Sequence, residues 1–436
     1  MKNKRILTWI AYTCIIVLLS ACMSRAHAPN EISPSHEQQH EIGQEPVQEP
    51  EPEPVEPEPQ PYSLRASLIA VGDIMMHSPQ IPAGYDPVTG TYNYDSFFAE
   101  VKDILSEGDW VYGNLETPLA GEDLGGYSGY PMFNAPDALA DSLKTAGFNI
   151  VSTANNHSMD RRGQGVLRTL EALTARELLA IGTYSSQEDR DTIQIVEKNG
   201  IFMAFLAYTY GTNGIPVPDD QTYLVNPLDT ELMIQDIHHA KQLGADVVTI
   251  ALHFGNEYER NPNDHQKELV RQLIQEGADI ILGSHPHVVQ PYEVISVTKD
   301  GTERTGFVIY SLGNFISNQG PAQQTPKYTD VGVILKLDIA KHFPEQTIEI
   351  EQVSAIPTWV HKYQTDGKRH YRVLPLPNYL QLPERSDPIL TASDWALMSE
   401  YDEEIHHHLR TFMNVDVPVT LQPALLTTEP NISFQP

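Results

Sequence analysis

The chain has 436 residues, enough for one large domain or two ordinary ones. Its 58 Asp and Glu against 28 Lys and Arg give a formal charge of -30, which argues against nucleic-acid binding, a task that needs basic stripes. The only cysteines are Cys14 and Cys22, so the rest of the chain has neither a disulfide framework nor cysteine-ligated zinc.

Met1-Lys2-Asn3-Lys4-Arg5 is a basic leader, and residues 6–21 form an apolar run shorter than the ~20 residues of a spanning helix. The run ends Leu19-Ser20-Ala21-Cys22, which is similar to a bacterial lipobox. Residues 1–22 are therefore expected to be a lipoprotein signal segment. Lipidated Cys22 would then hold the chain on the bacterial cell membrane, with the domain facing outside the cytoplasm. An uncleaved signal anchor is the alternative. Residues 23–64 are polar and then Glu-Pro rich, too poor in apolar residues to fold, and read as an extended tether.

From residue 65 onward, apolar runs of strand length alternate with helical patterns. Ser67-Leu68-Ile69-Ala70-Val71 ends in Gly72-Asp73, and Trp110-Val111-Tyr112 ends in Gly113-Asn114-Leu115-Glu116. A Gly/Tyr-rich loop at 121–130, expected to be mobile or substrate-facing, and a helix over 136–146 follow. Phe148-Asn149-Ile150-Val151-Ser152 leads to Asn155-Asn156-His157, with Arg161-Arg162 just beyond and a helix over 163–178. A strand over 201–207 and a helix over 230–243 precede Asp246 to Leu252, a buried strand capped by His253-Phe254-Gly255-Asn256-Glu257. A helix over 265–276 leads to the strand 279–282 and to Gly283-Ser284-His285-Pro286-His287. The strand 307–312 ends Gly313-Asn314-Phe315. Strands over 331–339 and 347–353 complete a domain expected to span 65–356. Residues 357–436 read as a less regular extension, helical over 392–413, with the histidine run 406–408 at its surface. The alternation is that of a layered α/β domain.

The strand ends collect Asp73, Asn114, Glu116, Asn156, His157, His253, His285 and His287. These are oxygen and imidazole donors of the kind that hold Mn, Fe or Zn. Separate strand-to-loop junctions supply them, in the crevice where open α/β sheets bind ligands. One or two divalent ions there would polarise a phosphoryl or carbonyl oxygen and activate water. Arg161 and Arg162 are candidates to meet a carboxylate or phosphate, with a solvated pair as the plain alternative. Glu257 reads as a partner of His253, a substrate contact or a surface carboxylate.

In order along residues 67–315, these motifs resemble those of the CapA family of poly-γ-glutamate capsule synthesis proteins, itself similar to calcineurin-like metallophosphoesterases. The resemblance implies a metallophosphoesterase-like four-layer α/β/β/α sandwich. It implies Asp73, Asn156, His253, His285 and His287 as metal ligands, Asn114 or Glu116 at the bridging position, and His157 as proton donor or oxyanion stabiliser. Asn314, in the last of these motifs, is a candidate substrate contact. Met75 stands where the phosphoesterases place a histidine, which leaves His77 as its replacement. Asn114 stands where they place a bridging aspartate, which leaves Glu116 to substitute. The family further implies poly-γ-glutamate and membrane synthase subunits as partners. A metal-dependent hydrolase of phosphoester or amide bonds, or a non-catalytic scaffold on the same fold, are the alternatives.

Overall fold

The computed structural model describes residues 60–299, 301–413 and 419–421. The expected signal segment, Cys22 and the tether up to residue 59 lie outside the described residues. No described helix is long and apolar enough to cross a membrane.

The chain opens with β1 (Tyr62–Ile74), β2 (Trp110–Leu115), α1 (Ala138–Ala146), β3 (Ile150–Ser152), α2 (Arg162–Thr174) and β4 (Leu179–Ile181). It continues through β5 (Gln194–Lys198), β6 (Ile201–Thr209), α3 (Thr230–Gln242), β7 (Val247–His253), α4 (Asp264–Glu276), β8 (Ile280–Ser284), β9 (Val289–Lys299) and β10 (Thr302–Leu312). Then come β11 (Asn314–Ile316), β12 (Val331–Phe343), β13 (Thr347–Thr365), β14 (Lys368–Pro375), α5 (Ala392–Leu409) and β15 (Val419–Leu421).

The strands form two large sheets. A nine-stranded sheet runs β14-β13-β12-β1-β2-β3-β4, with β11 against β1 and β15 against β13; a six-stranded sheet runs β9-β10-β8-β7-β6-β5. Side chains from both sheets, among them Leu68, Tyr112, Phe205, Ala251, Leu282 and Leu335, share one core between them. On the outer face of the larger sheet, Leu139 and Leu143 of α1 and Leu173 of α2 pack on Ile69, Val111 and Val151. On the outer face of the smaller sheet, Ile237 of α3 and Val270, Leu273 and Ile274 of α4 pack on Val248, Ile250 and Ile281. The order is α/β/β/α, the expected sandwich. Covering both faces explains why β1 is buried without interruption from Ala66 to Ile74 and reads as one apolar run.

Helix ends are set by local chemistry. Asn263 and Gln266 close a capping box at the start of α4, and Gly277 ends it at φ +125. Near residue 100 the chain forms two single helical turns, Asp95–Phe98 and Lys102–Leu105.

Beyond Ile356 the chain is more regular than its sequence indicates. β13 runs on to Thr365 and pairs antiparallel with β14 from Thr358↔Pro375 to Thr365↔Lys368. Helix α5 places Trp395, Met398, Tyr401 and Ile405 in the inter-sheet core. His408, expected at the surface, is buried, and its Nε2 contacts the Arg260 carbonyl at 2.7 Å.

Candidate metal centre

The two sheets bring the strand-end residues together from opposite sides. Asp73, Asn114 and Glu116 come from the ends of β1 and β2, and Asn156 and His157 from the turn after β3. His253 closes β7, and His285 and His287 follow β8. All of these side chains are buried.

At the centre, Asn114 aims its amide nitrogen at three acceptors: Asp73 Oδ1 at 2.8 Å, Glu116 Oε2 at 3.2 Å and His253 Nδ1 at 3.3 Å. Its two amide hydrogens and the Ser284 hydroxyl, 3.1 Å from His253 Nδ1, match these three acceptors one for one and leave none of their hydrogens for Glu116 Oε1. Among the described residues Glu116 Oε1 is buried with no hydrogen-bond partner, 3.8 Å from His253 Nε2 and 3.8 Å from His287 Nε2. His285 Nδ1 is likewise buried and unpartnered. Such orphaned acceptors are rare in folded proteins, and a cation satisfies them all.

Two groups of three offer ligand atoms within 4.8 Å of one another: Asp73 with Glu116 and His253, and Glu257 with His285 and His287. This donor set, carboxylate and imidazole without sulfur, fits Mn, Fe or Zn. Glu116 joins the first group and so supplies the carboxylate that Asn114 lacks. Asn156 borders it, with Oδ1 3.0 Å from His253 Nε2.

Electrostatics agree with this reading. Burial, and after it the charge of Asp73, pushes the Glu116 carboxyl well above the usual range. Burial and then the charges of His285, His287 and His157 hold His253 well below its ordinary value, and burial with His287 brings His285 down to about 3. Both imidazoles are therefore neutral at pH 7, the form that binds metal. In His287 burial opposes the charged form, but the hydrogen bond and charge of Asp73 outweigh it and the value rises. Its Nδ1 lies 3.0 Å from Asp73 Oδ2 and 3.1 Å from Asn314 Oδ1.

Backbone geometry fixes the two imidazoles of β8. His285 and His287 both hold positive φ, +99 and +58, on either side of Pro286. Residues with a Cβ seldom accept this region, and such strain collects at functional sites. Gly283 allows the strand to pass close to its neighbour: a Cβ there would lie 1.9 Å from the Tyr310 carbonyl oxygen.

His157 stands beside the centre, and a charge on it would disfavour those on His253 and His285. Its Nδ1 donates to Asp160 Oδ2 at 2.8 Å, which leaves Nε2 as the nitrogen free to hold or release a proton. Asp160 Oδ2 also accepts from the Phe133 amide at 2.7 Å, and the Phe133 ring packs edge-on against the imidazole.

Several expected roles change. His77 enters neither ligand group; its Nδ1 accepts from the Asn318 amide at 3.2 Å. Asn314 offers nothing to a substrate: its oxygen meets His287, and its nitrogen donates to Gln319 Oε1 at 2.9 Å and to the Thr329 carbonyl at 2.7 Å. Arg161 is tied to the loop after β2 through Ser128 Oγ and the Met132 carbonyl, and Arg162 is exposed at φ +57. Glu257 does not orient His253, a task held by Ser284, Asn114 and Asn156; it is exposed beside His285 and His287. The sequence reading assigned no role to Asp160, Ser284 or Tyr210. Tyr210 lies over His285 with ring centroids 4.6 Å apart. Asp160, three residues after His157, carries a readable signal; Ser284 and Tyr210 carry none.

A family model described as bacterial capsule synthesis protein PGA_cap matches residues 67–319, and that span takes in every residue of this centre. The chain belongs to this family. It is 34% identical over 257 residues to the PGA biosynthesis protein CapA of Bacillus subtilis (strain 168), covering 57% of this chain and 63% of that protein. It is 31% identical over 267 residues to the capsule biosynthesis protein CapA of Bacillus anthracis, covering 59% of this chain and 61% of that one. The match thus spans less than two thirds of either relative. Among solved structures, the Haemophilus influenzae NAD nucleotidase NadN is 13% identical with a TM-score of 0.42, covering 79% of this chain and 61% of that one. The calcineurin-like phosphoesterase YfkN from Bacillus subtilis is 12% identical with a TM-score of 0.36, covering 80% of this chain and 100% of that one.

Proposed function

We propose that this capsule-synthesis family member is a membrane-anchored component of poly-γ-glutamate synthesis or export, working outside the cytoplasm through one or two divalent ions. Family membership supports the capsule role. The lipobox-like Leu19-Ser20-Ala21-Cys22 supports the anchor, and membrane synthase subunits are the partners implied. The observation that supports the metal reading is Glu116 Oε1, buried without a hydrogen-bond partner among the described residues and 3.8 Å from both His253 Nε2 and His287 Nε2. Asp73, Glu116 and His253 would hold one ion, with Asn156 at its edge, and Glu257, His285 and His287 a second. Bound metal would supply Lewis acidity and an activated water. It would also supply positive charge in a chain of net charge -30, which an anionic polymer needs in order to approach.

The His157–Asp160 pair favours a second reading, a metal-dependent hydrolase. Asp160 holds the imidazole in one tautomer, with Nε2 available to protonate a leaving group.

The test is complementation of a polymer-producing strain that lacks its own family member, with metal content measured on the purified proteins. The intact chain should restore surface polymer and carry one to two ions. Glu116→Gln should lose both. His157→Ala should keep its metal, and it loses polymer only if the site performs chemistry. Undiminished polymer with Glu116→Gln, or no metal in the intact chain after Mn or Zn is added back, overturns the metal-dependent role.

A further inference from the structure

Away from the metal centre, a cleft of about 540 Å³ opens between the 320–330 segment, β13 and α5. That volume suits a small ligand. Of the charged groups that line it, Lys327 pairs with Glu400 and Asp394 bonds Thr391 at the start of α5, whereas Lys362 and Asp330 line it without meeting. The Lys362 ammonium donates to the Gln319 carbonyl at 2.6 Å, and among the described residues no carboxylate pairs with it. Asp330 is only 6% exposed; its Oδ2 accepts from Trp359 Nε1 at 3.1 Å, but its Oδ1, with the Tyr401 hydroxyl nearby, is buried and within hydrogen-bond distance of no donor among the described residues. Gly320 passes between the two groups, so that a Cβ there would lie 3.0 Å from Lys362 Nζ and 3.2 Å from Asp330 Oδ2. Trp359, Tyr401 and Leu397 give the cleft an aromatic and apolar wall.

A buried carboxylate oxygen without a donor is unfavourable unless a ligand supplies one. A partly buried ammonium with spare hydrogens calls in the same way for an acceptor. One small molecule bearing both an ammonium and a carboxylate answers both needs and adds no net charge. We propose that this cleft binds a zwitterion of the α-amino-acid class, with its ammonium on Asp330, its carboxylate on Lys362, and its side chain along Trp359, Tyr401 and Leu397. Burial holds Lys362 down to about 8, and a bound carboxylate would favour its charged form. The proposal does not depend on the metal reading.

Isothermal titration calorimetry on the purified protein tests it, with L-glutamate and L-leucine as ligands and their deaminated analogues glutarate and 4-methylpentanoate as controls. At least one amino acid should bind saturably at one site, about tenfold or more tighter than its analogue. Asp330→Asn should weaken the amino acid about tenfold and leave the analogue unchanged, whereas Lys362→Met should weaken both. The absence of saturable heat with both amino acids at millimolar concentration overturns the proposal. So does an analogue that binds as tightly as its amino acid, since a plain anion site would do that. The comparison of amino acid with analogue uses the unmodified chain and holds whether or not a variant folds.

Discussion

Asn314 uses both amide hydrogens and its oxygen to hold other groups in place. Its oxygen faces His287 Nδ1, and its nitrogen reaches Gln319 and the Thr329 carbonyl. Groups that orient a ligating imidazole typically change metal affinity by about 10–100-fold when removed. Asn314→Ala should therefore lower Mn or Zn affinity by about that factor in a chelator-competition titration. Asn314→Asp, which keeps an acceptor at His287, should retain most of it. Unchanged affinity in the alanine variant would assign His287's orientation to Asp73 alone. At this scale, the candidate residues legible in the sequence were those at or just beyond the end of a buried strand: Asp73, Glu116, Asn156, His253, His285 and His287. Each breaks an apolar run, and that break is the signal. Ser284 and Tyr210 carry no such mark, because a serine or tyrosine near a strand end is ordinary. Asn314 was marked in the same way but assigned the wrong task, since adjacency to a site does not show which way a side chain faces.

The strands carry the ligands only because some of them approach unusually closely. A Cβ on Gly72 would stand 1.8 Å from the Gly313 carbonyl oxygen, and one on Gly332 would stand 2.5 Å from that of Asn314. These contacts set β1, β11 and β12 against each other directly beneath Asp73 and Asn314. Overpacking a tight core costs about 1–3 kcal/mol, and a clash with backbone belongs at the upper end. Gly72→Ala should thus lower unfolding free energy by roughly 3 kcal/mol in a denaturant titration and reduce metal content as well. A neutral result would mean that β1 slides freely against β11. The buried strands were the readable ones, because coverage on both faces leaves uninterrupted apolar runs, as in β1 and β7. β13 was cut short in the sequence reading because its middle is half-exposed and carries polar residues such as Gln352, Ser354 and Lys362. β5, an edge strand with no fully buried residue, was missed for the same reason.

For the whole molecule, the centre straddles two sheets that are otherwise joined by an apolar core. Anything that binds the folded arrangement alone raises its stability, by about 2.7 kcal/mol when the free ligand is at a hundred times its dissociation constant. Adding Mn or Zn should raise the melting temperature in a calorimetric scan. Glu116→Gln should abolish that rise and leave the metal-free melting temperature equal or higher, since it removes a buried carboxyl whose charged form is disfavoured. No metal-dependent shift in the intact chain would argue that the two sheets hold no ion between them. The layered α/β class was legible from the alternation of strands and helices, and the four-layer order only from the family resemblance. The pairing of the sheets was not, since nothing in a linear pattern shows that β1 and β7 end at the same point in space.

The exposed residues 218–220 divide this coordination sphere along the chain. Asp73, Glu116 and Asn156, all oxygen donors, precede them. His253, His285 and His287, all nitrogen donors, follow, together with Glu257. The first stretch is thus a hard-donor peptide and the second mainly an imidazole peptide; Glu257, His285 and His287 all lie in the second, whereas the group of Asp73, Glu116 and His253 needs both. Cleavage at that one surface run would leave any ion held by Asp73, Glu116 and His253 bridging two polypeptides where it had bridged two parts of one. In such a molecule that ion would act as a clasp that records whether both halves are present.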